Sequence, residues 1–228
     1  MSRRDLLLQS PLFHDVPPEA VSMAEQSVIE RHFHPGDVLV SQEAQGEALF
    51  LVTAGRARVT RVSLGGRERV LGFLYAPAVF GEISVLSRRG RSATVVADTE
   101  VSALMLHRAE FEQLLTRSPK VLWNLATILA DRVASLNDEL IALGISTEAT
   151  MAHVFVNLYH QRGAAGEAQP DLLPLNQTDL MLRLSASRET VARVVRKLEK
   201  NGLVKHEQGG VRLRSVDGLE RIVYDLEE

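Results

Sequence analysis

Leu175–Lys200 reads LNQTDLMLRLSASRETVARVVRKLEK. Asn176 is placed to cap a helix, Asp179 stands at the third helical position to complete a capping pair, and Leu180 and Leu184 repeat at helical spacing. A first helix of about two turns follows. Ser185-Ala186-Ser187 interrupts the pattern, Ser187 can cap a new start, and Val191, Val194, Val195 and Leu198 form a second apolar stripe. Arg188, Glu189, Arg193, Arg196 and Lys197 fall off that stripe and face water. Two helices with so short a turn predict either an ordinary helical hairpin with a solvated charged face or a helix-turn-helix, whose second helix lies in the major groove of DNA.

The flanking sequence favours the second. Leu203-Val204-Lys205-His206, Gly209-Gly210 and Val211-Arg212-Leu213-Arg214 predict a two-stranded hairpin beside the helices, a wing. Arg188 and Glu189 occupy the N-terminal turn of the second helix. Arginine pairs bidentately with guanine O6 and N7, glutamate accepts from cytosine N4, and Arg193 lies one turn further on. The whole chain carries a formal charge of −3, yet Arg183–Arg214 holds nine basic residues (Arg183, Arg188, Arg193, Arg196, Lys197, Lys200, Lys205, Arg212, Arg214) against three acidic ones (Glu189, Glu199, Glu207). Such a local excess is the footprint of a phosphate-backbone ligand.

Ser187-Arg188-Glu189-Thr190-Val191, then Arg193, then the run Leu198 to Leu203, resembles the recognition helix of the Crp/Fnr family of bacterial transcription regulators. The resemblance implies that Ser187, Arg188, Glu189, Thr190, Arg193 and Lys197 contact DNA, with Arg188, Glu189 and Arg193 reading a TGTGA half-site. Ser185 stands at the turn position where the family has glycine, and Met181 where it has a small residue.

At 228 residues with 45% hydrophobic content, the chain is long enough for two ordinary domains. It has no cysteine, which excludes disulfides, thiolate zinc sites and a cysteine-held iron–sulfur cluster. Leu6-Leu7-Leu8 lacks the length of a signal peptide and no apolar run approaches membrane-spanning length, so a cytoplasmic protein with no membrane partner is expected. No motif combines a nucleophile with a base and its orienting group, and an enzyme is not expected. His32 and His34 lack a third ligand, and no metal site is assigned.

Residues up to about Arg31 read as short helices, with a start at Pro17-Pro18. Beyond them the texture changes to short β-branched or alternating runs (38–40, 48–52, 57–62, 70–73) separated by Pro35-Gly36, Gly46, Gly55 and Gly65-Gly66, which predicts an antiparallel sandwich or roll. One loop in it, Phe80 to Val95, is chemically distinctive. A glycine permits close backbone approach to a ligand, Arg91 supplies a bidentate fork for phosphate with Ser92 beside it, and Glu82 can accept from a ribose hydroxyl. The same residues would also serve a structural turn in which Arg91 pairs with Glu82. Gly81 and Arg91 lie ten positions apart, an order and spacing similar to the phosphate-binding cassette of cyclic-nucleotide-binding domains. The match implies that Gly81, Glu82, Ile83, Arg91 and Ser92 hold a cyclic nucleotide, cAMP in the closest motifs, and that Arg91→Ala abolishes the nucleotide response while sparing the fold.

Ser118-Pro119 marks a helix start, and Leu122, Leu125, Leu129, Leu136 and Leu143 keep a broken a/d repeat up to Gly144. A helix of about 25 residues is roughly 38 Å long, and its expected partner is a second copy. The resemblance makes it the dimer helix, with Ser135 contacting the base and Leu136 where a second hydroxyl stands in the family. Gly144-Ile145-Ser146 is the candidate hinge, Thr147 to Arg162 a helix, and Gly163 to Pro174 a polar surface loop in the region that touches RNA polymerase in relatives.

The expected architecture is α+β: a cyclic-nucleotide-binding jelly-roll-like β-roll (1–117), a dimerisation helix and hinge (118–144) and a C-terminal winged helix-turn-helix (145–228). The expected function is a homodimeric, DNA-binding transcription regulator, an activator switched by cAMP. Two alternatives stand beside it: an effector-independent regulator with a vestigial pocket, and a cyclic-nucleotide regulatory subunit of an enzyme.

Overall fold

The computed structural model describes residues 1–62, 66 and 68–224, with the backbone alone over 141–145. It divides into two compact units, Met1–Ala130 and Asp131–Glu228, the boundary falling within one long helix.

The first unit opens with α1 (Arg3–Leu8), a 3-10 turn at Pro11–Phe13 and α2 (Pro18–Ser27). Pro18 takes the first helical position, where its missing N–H is no loss. Helix stops short of the expected Arg31, because Ile29–Phe33 forms strand β1. The remaining strands are β2 (Val38–Val40), β3 (Ala48–Ala54), β4 (Arg56–Val62), β5 (Glu68–Tyr75), β6 (Ala78–Phe80), β7 (Thr94–Ala97) and β8 (Val101–His107). They pair antiparallel in two four-stranded sheets, β1-β8-β3-β6 and β2-β7-β4-β5. Of the turn signals, Gly65 lies outside the described residues.

Strand β3 explains how the layers stack. Ala48 to Val52 is buried throughout because both of its faces are covered. Phe50 and Val52 pack with Leu39, Ala57, Phe80 and Val95 between the sheets. Leu49 and Leu51 point the other way, with Leu104 and Leu106, onto Leu7, Phe13, Val21 and Phe111 of the helical layer. That layer includes α4 (Arg108–Arg117) and the start of α5 (Pro119–Ile145). Val121 and Leu125 of α5 belong to this core, and the Asn124 side-chain amide donates to the Leu12 and His14 carbonyls at 3.1 and 2.7 Å.

The a/d reading of α5 is thereby corrected. Leu125 is 1% exposed and serves the core. The outward stripe runs through Leu122, Ala126, Val133, Leu136 and Leu140, all exposed, whereas Leu129 is half-buried against the same core as Leu125. The side chain of Leu143 lies outside those described. The helix also continues through the expected hinge residues Gly144 and Ile145, and the break comes at Ser146, an extended residue whose Oγ accepts from the Ala149 amide.

The second unit contains α6 (Thr147–Ala164), β9 (Leu172–Leu173), α7 (Gln177–Leu184), α8 (Arg188–Lys200), β10 (Val204–Glu207), β11 (Gly210–Leu213) and α9 (Val216–Tyr224). Met151, Phe155, Leu173, Leu175, Val191, Leu198 and Leu219 are among its fully buried side chains. The expected polar loop before α7 is corrected as well: Leu172-Leu173 adds a third strand to the wing, in the order β10-β11-β9, with Leu173 opposite Val211. Leu125→Ala should leave a cavity in the first unit and lower its stability by about 2–5 kcal/mol, read as a shift of its urea midpoint by circular dichroism.

Candidate nucleic-acid interface and nucleotide cassette

Local chemistry sets the geometry of α7 and α8. Asn176 Oδ1 accepts from the Asp179 amide at 2.9 Å while Asp179 Oδ2 accepts from the Asn176 amide at 3.0 Å, a complete capping box. Ser185 closes α7 in the left-handed region at φ 50°, the conformation for which glycine is ordinarily used. Ser187 then caps α8, its Oγ accepting from the Thr190 amide at 3.2 Å. Val191, Val194 and Leu198 are buried, and Arg188, Glu189, Arg193, Arg196 and Lys197 are all exposed. The structure thus brings the six expected DNA-contacting residues onto one helix, with Arg188 and Glu189 at its positive end.

The basic footprint is narrower than the sequence count. Arg183 forks onto both oxygens of Glu139 at 2.7 and 2.6 Å, with both side chains largely withdrawn from water. Lys197 Nζ lies 2.6 Å from Glu148 Oε2, so this expected contact is already engaged within the protein. In the wing, Glu207 meets Arg212 at 2.7 Å, Arg214 at 3.1 Å and Lys205 at 3.6 Å, and Arg212 also reaches Asp171 at 2.7 Å. The Arg212 hydrogen bond holds the Glu207 and Asp171 carboxyls below the usual carboxylate range. Five of the nine cations are therefore paired, and the four without an ion pair among the described residues, Arg188, Arg193, Arg196 and Lys200, all belong to α8.

The cassette lies in the first unit. What reads as a loop after Phe80 contains α3 (Glu82–Ser87), opened by Gly81 at φ 86°. Glu82 is 2% exposed and Arg91 6% exposed, whereas Ile83 and Ser92 are exposed. Arg91 Nη2 donates to the Ala48 carbonyl at 2.8 Å, and Nη1 donates to Ser84 Oγ at 2.8 Å and to the Gly81 carbonyl at 3.2 Å. Burial pushes the Arg91 guanidinium toward losing its charge, and the Glu82 carboxylate opposes that push. The glycine at 81 answers this packing directly, since a Cβ there would fall 2.5 Å from Arg91 Nη1 and 2.9 Å from the Ala48 carbonyl. Ser84 had drawn no attention in the sequence, where a serine within an apolar run carries no signal.

Ser135 belongs to the second unit. Its hydroxyl accepts from the Asn157 side-chain amide of α6, and Asn157 Oδ1 in turn accepts from Gln161 at 2.6 Å. No group of three or more His, Cys, Asp or Glu residues among the described residues could hold a metal ion, and no described helix is long and apolar enough to cross a membrane.

Comparison with known proteins follows the same division. Residues 30–118 match the cyclic nucleotide-binding domain and residues 151–222 the Crp-like helix-turn-helix domain. The cyclic AMP receptor protein of Thermus thermophilus is 36% identical over 218 residues, covering 95% of this chain and 98% of that protein. This chain belongs to the Crp family of transcription regulators. A second member of the family, the CRP-like cAMP-activated global transcriptional regulator of Mycobacterium tuberculosis, is 24% identical over 220 residues, 95% of this chain and 98% of that one. The crystal structure of the Thermus thermophilus catabolite activator protein, 34% identical, superposes with a TM-score of 0.55 over 96% of this chain and 100% of its own. As a Crp-family protein with a cyclic nucleotide-binding domain and a Crp-like helix-turn-helix, the chain is a DNA-binding transcription regulator of mixed α and β structure.

The cage around Arg91 revises the expectation that Arg91→Ala spares the fold. Removing the guanidinium takes a donor from the buried Ala48 carbonyl and should cost about 1–3 kcal/mol of stability. A denaturation curve coincident with that of the parent would show that the cage contributes nothing.

Proposed function

We propose that this chain works as a homodimeric, cAMP-switched activator that binds a TGTGA-like inverted repeat. The observation that carries the reading is that the cations of Arg183–Arg214 without an ion pair among the described residues gather on α8, with Arg188, Glu189 and Arg193 exposed on its first turns. Two such helices about a two-fold axis would read half-sites roughly one helical turn apart. The outward stripe of α5, centred on Val133, Leu136 and Leu140, supports pairing with a second copy. Along the chain the proposed division is a sensor (1–117), a dimerisation helix and hinge (118–144) and a DNA-binding domain (145–228). Contact with RNA polymerase and a cytoplasmic location complete the proposal.

For the nucleotide, the reading assigns the ribose hydroxyl to Glu82, the cyclic phosphate to Arg91, Ser92 and the backbone at Gly81 and Ile83, and the base to Ser135. The names of the relatives support cAMP. A ligand switches the protein only by binding the DNA-competent arrangement more tightly than the other. A second reading, effector independence, is favoured by one observation: three of the five N–H donors of Arg91 are already engaged by Ala48, Ser84 and Gly81. The Crp-like helix-turn-helix sets aside the regulatory subunit of an enzyme.

The deciding experiment is titration of a fluorescent TGTGA inverted-repeat duplex at fixed salt, with and without cAMP. Enhancement by the nucleotide is expected, and tight binding that ignores it would favour effector independence. Arg188→Ala should weaken binding to the preferred site by about 1–3 kcal/mol and relax specificity there, whereas an equal loss on every sequence would make Arg188 a phosphate contact. Leu136→Glu should shift the sedimentation coefficient from dimer to monomer.

A further inference from the structure

Gln177 is the first residue of α7 and Arg188 the first of α8. Their side chains meet across the turn. The Arg188 Nε–H donates to Gln177 Oε1 at 3.1 Å, and Gln177 Nε2 donates back to the Arg188 backbone carbonyl at 3.4 Å. One amide therefore grips Arg188 at its main chain and at the root of its guanidinium. Gln177 is half-buried and Arg188 exposed, so the amide is the anchored partner. A guanidinium has five N–H donors in one plane, and with Nε engaged the four on Nη1 and Nη2 remain without a partner among the described residues.

We infer that Gln177 is a positioning residue that determines specificity, presetting the Arg188 fork to meet guanine end-on through Nη1 and Nη2. The inference rests on the reading above that Arg188 reads a guanine. An arginine free to swing can satisfy itself on any nearby phosphate, and phosphate contacts carry no sequence information. Holding Nε fixes the plane of the fork and directs it to O6 and N7, the pair of acceptors that only guanine presents in the major groove. Gln177 itself touches no base in this arrangement and acts through Arg188.

The test uses the full chain with excess cAMP and the duplex it selects from a pool of randomised inverted repeats. Affinity is compared with that for the same duplex carrying adenine in place of the guanine whose identity Arg188→Ala relaxes. Gln177→Ala should reduce the guanine-to-adenine affinity ratio by about 3–10-fold, part of the discrimination that a bidentate contact supplies. It should leave affinity for the adenine duplex nearly unchanged, since no phosphate contact is lost. In the Arg188→Ala background it should not change the ratio further, the signature of two residues acting as one unit. An equal loss on both duplexes would make Gln177 a phosphate contact and overturn the inference. A ratio untouched by Gln177→Ala but abolished by Arg188→Ala would overturn it while leaving the reading of Arg188 intact. If Arg188→Ala relaxes no guanine, that reading fails and the inference falls with it. A melting curve of each variant separates loss of recognition from loss of fold.

Discussion

A guanidinium withdrawn from water must be surrounded by acceptors, and much of the first unit is arranged around meeting that demand for Arg91. Its charge cannot be shed at ordinary pH, so burial is tolerable only with the Ala48 carbonyl, the Gly81 carbonyl and Ser84 Oγ in place and Glu82 nearby. Those acceptors come from β3 and from the junction of β6 with α3, so the arginine ties the inner sheet to the helix that follows it. The same positions carry the chemistry expected of a phosphate cradle. Structural and ligand-binding readings of the cassette are thus two uses of one polar cluster.

The second unit meets a related constraint at its surface. Its cations are numerous, and several are held by carboxylates supplied from other elements, Glu139 for Arg183, Glu148 for Lys197 and Asp171 for Arg212. The exposed one among them, Lys197–Glu148, contributes little stability. The larger effect of these pairs is spatial, since the cations of Arg183–Arg214 left without an ion pair among the described residues all lie on α8. The helix that is shaped to enter a groove is also the one that presents net charge to it.

The helix-turn-helix was legible because each of its parts has a short-range cause: the Asn176–Asp179 box, the Ser187 cap and the Val191–Leu198 stripe all lie within one stretch of sequence. The wing hairpin was legible from Gly209-Gly210, but its third strand was not, since Leu172-Leu173 is two residues long and only pairing with β11 makes it a strand. Helix α3 was hidden within a motif read for its chemistry. Leu125 was misassigned because α5 is apolar on two sides near its start, and periodicity cannot tell a core-facing leucine from an outward one. The ion pairs were illegible for a plainer reason: Arg183, Lys197 and Arg212 find partners 44, 49 and 41 positions away. A count of charges along the sequence sees the cations and misses what holds them.

Glu207 stands at the centre of the wing's charges, with three cations converging on its one carboxylate. A change at that single position would leave Lys205 and Arg214 without this partner, while Arg212 kept Asp171. Affinity for DNA in general could then drift upward while the reading residues stayed the same. A wing with more free positive charge would hold any duplex more tightly and so discriminate less, which makes one carboxylate a lever on how long such a regulator would linger on the wrong sequence.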